Sequence, residues 1–425
     1  MPPIRFIHAA DLHLDAAFSG LSRDIPADFA ERLRTATFTA FRRLLDLCER
    51  ESPDFLLLAG DVYNQEDASV SAQLALRDGF RRLESLSIPV FLVHGNHDPL
   101  ASRLRSVRWP GNVTVFGELP DAVPVFRKGE GTPLAIIHGA SHASGRETRN
   151  LAALFRRTEA CGLHVGLLHA TPGDADGVAR YAPFSQGDLK ASGMDYWALG
   201  HIHDRREVCR EPLAAYPGCT QGLHINEPGE KGCLLVTAEA RPDGGYAVRT
   251  SFRPLGPAVW KTLDMDLGGA ASLDELENRL RTGLDRAAAE VWSGCEMLLV
   301  RLRLQGRTEL DGLLRKGTTC AELADRLREG GNGVPRIWIK DIDVATRPCV
   351  EWGALLERED LLGEVFRLSE AARTASGLQA LREGPLAPLF AHARAGKALE
   401  PLTDEELARL LDDAESLCLD LLEND

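Results

Sequence analysis

The chain has 425 residues, which is more than one ordinary domain and enough for a substantial hydrophobic core. Hydrophobic residues at 44% and charged residues at 26% are typical of a soluble globular protein, and no apolar run is long enough to span a bilayer. The net charge of −14 argues against a protein that coats nucleic acid nonspecifically.

Residues 1–255 alternate short apolar runs with amphipathic helical patterns. Because the runs contain few polar residues, we expect strands that are covered on both faces, as in an α/β sandwich. The predicted strands are 4–10, 55–59, 90–93, 134–137, 165–168 and 196–199. The predicted helices are 28–50, 69–86 and 149–161, and Asp67 or Ser69 is expected to cap the second of them. This part is predicted to be the first domain.

A different pattern follows a stretch rich in proline and glycine at 253–257. Residues 259–267, 296–304 and 336–344 alternate like half-buried strands, and helical patterns at 273–291 and 320–328 separate them. The sequence therefore predicts a small β-α-β-α-β domain at 256–346, with Arg301 and Arg303 on its exposed face.

Residues 347–425 are predicted to form an acidic helical tail. The last helix begins with a capping box of Thr403 and Glu406 and carries a stripe of leucines at helical spacing. This helix could bind a partner or pack on its own domain.

Metal-capable side chains stand at five of the predicted strand ends. Because ligands of open α/β sheets bind outside the carboxyl ends of the strands, we expect these side chains to converge. A D-x-H or H-x-H pair also places both side chains on one side of an extended backbone. A single histidine at a strand end is commonly a packed residue, but five such ends together favour a metal site. The residues are Asp11, His13, Asp61, Asn96, His97, Asp98, His169, His201 and His203.

The predicted ligands are carboxylates, imidazoles and one amide. Such hard oxygen and imidazole ligands suit Mn²⁺ or Fe²⁺, with Zn²⁺ as an alternative. Seven candidate ligands are enough for two divalent ions, and Asp61 could bridge them. Two ions at about 3.5–4 Å can stabilise both the attacking and the leaving oxygen of a phosphoryl transfer.

The cysteine pattern indicates the redox environment. None of the nine cysteines forms a C-x-x-C pair, and the chain begins with an apolar strand rather than a secretory signal. We therefore expect reduced thiols in a cytoplasmic protein, and neither a disulfide framework nor a thiolate zinc site.

The order of these blocks resembles that of the calcineurin-like metallophosphoesterase superfamily: D-x-H, G-D, G-N-H-D, a strand-end histidine and G-H-x-H. The resemblance implies a four-layer αββα sandwich with a small α/β cap domain and a helical C-terminal tail. It assigns His97 to contact with the substrate phosphate and protonation of the leaving oxygen, and Asp98 to orientation of the His97 ring. It also implies a first metal site of Asp11, His13, Asp61 and His203 and a second site of Asp61, Asn96, His169 and His201.

Within the superfamily the chain is most similar to DNA repair exonucleases of the SbcD type, in the YhaO-like branch. Residues 9–15 and 58–63 carry this resemblance, together with 216–232, which follow the metal blocks. It implies a metal-dependent DNA exonuclease or endonuclease with a cap that contacts DNA. Many relatives have His or Asp where Asn64 stands, so the resemblance does not carry an assisting role to this position.

Four residues are candidate substrate contacts. His224 and Lys231 lie in the segment that follows the metal blocks, where a β-hairpin turn is an equally good explanation of the pattern. Arg103 and Arg105 follow the G-N-H-D block, where a solvated charged face is as good an explanation as DNA contact.

Two other functions also fit the sequence. A small-molecule phosphodiesterase would use the same G-N-H-D block, whereas a phosphoprotein phosphatase typically has G-N-H-E and is disfavoured by Asp98. The chain could instead act mainly as a scaffold through its last helix. The resemblance implies DNA and a coiled-coil ATPase of the SbcC type as partners, and a homodimer is also compatible with the sequence.

Overall fold

The computed structural model describes residues 2–21, 25–63, 69–102, 107–173, 180–242, 244–329, 333–349, 352–392 and 402–422. Asn64, Asp67, Arg103 and Arg105 lie outside these ranges. The chain separates into two compact units. The first is Met1–Leu267, Ser272–Gln305 and Leu313–Ala345, and the second is Gly268–Ala271, Gly306–Gly312 and Thr346–Asp425. The boundaries expected at 255 and 346 stay predictions.

Two six-stranded sheets form most of the first unit. Their strands are β1 (Ile4–Ala9), β2 (Phe55–Ala59), β3 (Val90–Val93), β4 (Val113–Val115), β5 (Asp121–Val125), β6 (Ala135–Ala140), β7 (Leu163–His169), β8 (Tyr196–Gly200), β9 (Arg206–Arg210), β10 (Leu213–Tyr216), β11 (Gly232–Ala240) and β12 (Tyr246–Pro254). The sheet orders are β12-β11-β1-β2-β3-β4 and β5-β6-β7-β8-β10-β9. Since β1 to β4 are parallel, and β6 to β8 are parallel, the carboxyl ends within each set share one edge.

The inner faces of the sheets pack together and helices cover the outer faces. The helices are α1 (Ala27–Arg34), α2 (Ala36–Glu51), α3 (Val70–Ser85) and α4 (Gln186–Ala191). Between the sheets, Phe6 of the first sheet contacts Tyr196 of the second, with ring centroids 5.5 Å apart. Phe41 and Phe80 belong to the core between α2, α3 and the first sheet, and Leu189 of α4 packs on the second sheet. The predicted αββα sandwich is confirmed.

Helix predictions in this part were less accurate than strand predictions. The helix predicted at 149–161 is wrong, because only a 3-10 turn forms, at Ala152–Leu154. Phe155 is extended and packs on Trp197, and the N–H of Arg157 donates to the carbonyl of Ser192 instead of a helical carbonyl. One apolar turn therefore produced a helical pattern. The helix predicted at 28–50 is divided into α1 and α2 at Thr35.

The elements of the small α/β region are β13 (Ala258–Asp266), α5 (Leu273–Glu290), β14 (Met297–Gln305), β15 (Arg307–Thr308), α6 (Asp311–Leu314), α7 (Thr319–Glu329), β16 (Arg336–Val344) and β17 (Arg347–Pro348). The β-α-β-α-β prediction is confirmed, with a parallel sheet in the order β13-β14-β16. Trp260 and Met297 of this sheet pack against Phe29 and Leu33 of α1, so the three-stranded sheet is fastened to the sandwich by apolar contacts.

The second unit contains most of the helical tail. Its helices are α8 (Trp352–Leu356), α9 (Leu361–Ala372), α10 (Ala375–Glu383), α11 (Ala387–Ala391) and α12 (Asp404–Leu422). The predicted capping box is confirmed, because the Thr403 N–H donates to Glu406 and the Glu406 N–H donates to the Thr403 hydroxyl. Leu419 packs with Leu362 and Phe366 of α9. None of the helices in the described residues is long and apolar enough to cross a membrane.

Candidate metal centre

The two sheets bring their polar strand ends together at one edge of the sandwich. His169 is the last residue of β7, and the other eight predicted residues follow the ends of β1, β2, β3 and β8. Among the described residues, three groups have ligand atoms within 4.8 Å of one another. Two consist of predicted ligands: Asp11, His13 and His203 form the first, and Asp61, His169 and His201 form the second. The remaining one joins His203 to Cys219 and Glu227. The convergence expected from the strand ends is therefore present.

The first group draws its ligand atoms from both sheets. His13 Nε2 lies 3.1 Å from His203 Nε2, although the two residues are 190 positions apart in sequence. His203 Nε2 lies 3.9 Å from Asp11 Oδ1. Lone pairs of two imidazoles and a carboxylate so close together form a pocket suited to a cation.

The second group includes the amide predicted from sequence. His169 Nε2 lies 3.0 Å from Asn96 Oδ1 and 3.3 Å from Asp61 Oδ2. The same Asp61 oxygen lies 4.0 Å from His13 Nε2 of the first group. Asp61 thus stands between the two groups, where one carboxylate can serve both.

Because these residues are buried close together, the charge of each depends on the charges of the others. Asp61 is 1% exposed, and burial opposes its ionisation, but the imidazoles of His169 and His13 outweigh this and hold the pKa of its carboxyl below the usual range. Burial likewise opposes protonation of His169, yet the Asp61 carboxylate prevails and raises the pKa of His169 to about 9. The fold, with its clusters of aspartate and histidine, implies divalent metal ions, whose charge would replace that of the bound protons.

The backbone is strained where two carboxylates and two histidines leave their strands. Asp11, His13, Asp61 and His201 have φ values of 50°, 40°, 49° and 106°. Non-glycine residues in this left-handed region cost on the order of 1–3 kcal/mol each and are concentrated at functional sites. Two hydrogen bonds hold the conformation, from the Asp11 N–H to Gly60 O and from the His13 N–H to Asp61 O, both 3.1 Å.

His97 and Asp98 occupy different environments. His97 is exposed beside the first group, with its ring centroid 5.1 Å from that of His13, and its N–H donates to Asp61 Oδ1 at 2.9 Å. Asp98 is fully buried, and its two oxygens accept the N–H groups of Gly95 (2.7 Å) and Val62 (3.0 Å). Both Asp98 oxygens thus bind the backbone of the loops that follow β3 and β2, and the orientation of the His97 ring by Asp98 stays a prediction.

The candidate substrate contacts of the 216–232 segment have different surroundings. Lys231 is buried, and its ammonium group donates to His203 O at 3.2 Å and to Asp204 Oδ1 at 3.1 Å. His224 is half-buried beside Gly20. Arg103 and Arg105 lie outside the described residues, so their predicted contacts stay predictions.

One residue of this segment was missed by the sequence analysis. Glu227 Oε1 lies 2.5 Å from His203 Nδ1, on the side of the ring opposite the first group. The available signal was an acidic residue in a turn-rich segment directly after the metal blocks. Cys219 also lies near this side of the His203 ring.

Comparisons with known proteins identify similar sequences. Residues 4–205 match the family model of the calcineurin-like phosphoesterases, and residues 260–347 match the middle domain of the metallophosphoesterase YhaO. An uncharacterized metallophosphoesterase YhaO from Bacillus subtilis (strain 168) is 37% identical over 330 residues, covering 77% of this chain and 78% of that protein. A DNA double-strand break repair protein Mre11 from Aeropyrum pernix is 28% identical over 320 residues, covering 68% and 69%. Among solved structures, a dimetal phosphatase from Danio rerio is 13% identical with a TM-score of 0.33, covering 59% of this chain and 99% of that chain.

Gly95 provides a test of the second group. A Cβ added there would overlap Asp61 Oδ1 and lie 2.8 Å from His169 Nε2, so Gly95→Ala must displace at least one of these side chains. We expect the variant to bind Mn²⁺ about 10–100-fold more weakly, the loss found when support of a metal ligand is removed. Isothermal titration calorimetry measures this. Gly117→Ala is the matched control, because a Cβ at Gly117 meets nothing within 4 Å. Unchanged affinity in Gly95→Ala would contradict the assignment of this group.

Proposed function

Because the chain belongs to the calcineurin-like metallophosphoesterase family, within the group that includes YhaO, we propose that it is a two-metal DNA nuclease with a role in DNA repair. Family membership makes it a metal-dependent phosphoesterase. The observation that carries the two-metal proposal is the position of Asp61, whose Oδ2 is 3.3 Å from His169 Nε2 and 4.0 Å from His13 Nε2. The first metal would be held by Asp11, His13, Asp61 and His203, and the second by Asp61, Asn96, His169 and His201.

The proposed reaction is hydrolysis of a phosphodiester by water. When bound, the two ions supply positive charge that activates water and offsets the charge that develops on the phosphate. The oxygen of water bonds to phosphorus and one proton of that water passes to solvent, the bond from phosphorus to the leaving sugar oxygen breaks, and His97 gives that oxygen a proton. The backbone N–H of His97 donates to Asp61 Oδ1, and this hydrogen bond keeps the residue beside the proposed metal ligands.

The proposed metal is Mn²⁺, with Fe²⁺ or Zn²⁺ as alternatives. The two groups offer only oxygen and imidazole nitrogen, which suits Mn²⁺. Burial raises the pKa of the nearby Cys219 thiol well above the ordinary value.

Two observations support DNA as the substrate. The similarity to an archaeal protein named for DNA double-strand break repair extends over 68% of this chain. In addition, His224 of the sandwich and Lys340 of β16 both approach Gly20, since a Cβ there would lie 3.2 Å from His224 Nε2 and 3.7 Å from Lys340 Cε. β16 thus brings a lysine, whose ammonium group also pairs with Asp341, next to the segment that carries Glu227. A DNA substrate would also agree with the cytoplasmic location expected from the sequence.

The alternative is a phosphodiesterase or phosphatase for small molecules. We expect Mn²⁺-dependent cleavage of end-labelled linear DNA, analysed on gels, at a rate that falls with increasing salt because phosphate contacts are screened. Bis-p-nitrophenyl phosphate measures the chemistry without DNA contacts. Cleavage of this compound without cleavage of single-stranded or duplex DNA would remove the nuclease proposal and leave the small-molecule enzyme.

The role of His97 can be separated from metal binding. His97→Ala should keep both ions and lower kcat on DNA by about 10²–10⁴-fold, the usual contribution of general acid catalysis. Asp61→Ala, which removes the shared ligand, should lose activity together with metal. Metal analysis beside single-turnover rates distinguishes the two variants. Metal loss in His97→Ala would mean that His97 is a ligand instead.

We also propose that α12 binds a partner, which the resemblance suggests is a coiled-coil ATPase of the SbcC type. Leu410, Leu417 and Leu421 lie at helical spacing and are 46%, 59% and 65% exposed, whereas Leu407 and Leu419 are buried. A helix that packs on its own unit through one set of leucines thus leaves a second set in solvent.

The exposed leucines give a direct test of this partner. Leu417→Glu should abolish co-elution with an SbcC-type ATPase of the same organism and leave cleavage of bis-p-nitrophenyl phosphate unchanged. Leu389→Glu is the matched control, because Leu389 is 49% exposed on the separate helix α11. Equal co-elution of both variants and the wild type would place the partner elsewhere.

A further inference from the structure

The carboxylate of Glu227 is fixed on the far side of a proposed metal ligand. Glu227 Oε1 lies 2.5 Å from His203 Nδ1, and Glu227 Oε2 accepts the N–H of Leu223 at 2.6 Å. Both carboxylate oxygens are therefore engaged, and the side chain is only 20% exposed. Glu227 belongs to neither of the two groups of predicted ligands that Asp61 connects.

This contact determines which nitrogen of His203 can bind a metal. An ionised carboxylate accepts a hydrogen bond, so Nδ1 carries the hydrogen and, in the neutral ring, Nε2 carries the lone pair. Nε2 is the atom that faces the first group, 3.1 Å from His13 Nε2 and 3.9 Å from Asp11 Oδ1. A carboxylate behind a ligating imidazole also makes that imidazole a stronger donor. We propose that Glu227 is a positioning residue that holds His203 in the tautomer and orientation needed to bind the first metal.

Another strand-end histidine, His169, is held differently. His169 Nδ1 lies 2.9 Å from the carbonyl oxygen of Ala59, so a neutral backbone acceptor takes the place of a carboxylate. The two metal sites therefore differ in the charge behind one of their imidazoles. Loss of the Glu227 charge should weaken the first site and leave the second nearly unchanged.

The segment that carries Glu227 is built to hold its position. Gly222 O accepts both the Trp260 Nε1–H, at 3.1 Å, and the Gln221 side-chain amide, at 2.8 Å. At the other end of the segment, the Gly229 N–H donates to Trp260 O at 2.9 Å. The buried ammonium group of Lys231 also binds the carbonyl of His203 itself. Both the backbone and the ring of His203 are thus held by one segment.

Glu227→Gln is a sharp variant because the Leu223 N–H requires an acceptor. If the new amide oxygen binds Leu223, its NH₂ group faces His203 Nδ1 and drives the ring proton to Nε2, which blocks the metal-binding lone pair. If the amide is reversed, its NH₂ group faces the Leu223 N–H and that bond is lost. In either orientation, one of the two hydrogen bonds that Glu227 accepts is lost or reversed, with little change in side-chain volume.

The experiment measures Mn²⁺ binding to the full metal-free chain by calorimetry and by electron paramagnetic resonance. This inference rests on the proposed two-metal function, so the wild type must first bind two ions. Glu227→Gln should then weaken one ion by about 10–100-fold and the other by less than about twofold. His203→Ala identifies the affected ion, because it removes the ligand itself. Glu239→Gln, at an exposed glutamate of β11, controls for the change in charge.

Each outcome separates the inference from the proposed function. Selective loss of the ion that His203→Ala also loses, with an unchanged melting temperature of the metal-free protein, supports the inference. Wild-type affinity for both ions in Glu227→Gln overturns it and leaves the two-metal proposal intact. Equal weakening of both ions together with a lower melting temperature also overturns it, because Glu227 would then be a general structural residue. A wild type that binds fewer than two ions overturns the proposed function itself.

Discussion

The structure depends on keeping negative charge buried at the edge where its two sheets meet. Asp11 and Asp61 are each 1% exposed, and a buried carboxylate is costly unless hydrogen bonds and opposite charge compensate it. Backbone N–H groups supply some of this compensation. That of His97 lies 2.9 Å from Asp61 Oδ1, and that of His201 lies 3.0 Å from Asp11 Oδ2. Divalent cations would supply the remainder. The buried carboxylates that destabilise the metal-free fold would therefore also give the protein its affinity for metal.

The sandwich meets this requirement by bringing strand ends from both sheets closer than ordinary side chains would allow. A Cβ at Gly200 would overlap Ala59 O, and one at Gly95 would overlap the Asp61 carboxylate. Four site residues with positive φ add strain, which the shared core between the sheets must offset. The glycines of the G-D, G-N-H-D and G-H-x-H blocks therefore allow the strand ends to approach closely, in addition to marking where the strands end.

The sequence predicted the sheets well because apolar runs bounded by glycine and polar residues have few alternative structures. The observed bounds of β2 and β3 are those predicted, whereas the four αββα layers were expected from the family resemblance. Residues 149–161 were wrongly predicted because Leu151, Ala152 and Phe155 fit a helical spacing within a single turn, which local pattern cannot distinguish from a short helix. Glu227 could not be predicted, because its contact with His203 depends on how a turn-rich segment folds back over 24 residues.

The segment that carries Glu227 also connects the small α/β region to the proposed metal ligands. The side chain of Gln221 pairs with the backbone of Ala258 at the start of β13, donating to its carbonyl at 2.8 Å and accepting its N–H at 3.1 Å. A few residues later in the same segment, Glu227 binds the ring of His203. Since buried hydrogen bonds are costly to break, β13 cannot shift relative to the sandwich without disturbing either these bonds or the imidazole. Through this segment, β13 thus helps to hold the His203 ring at the first proposed metal group.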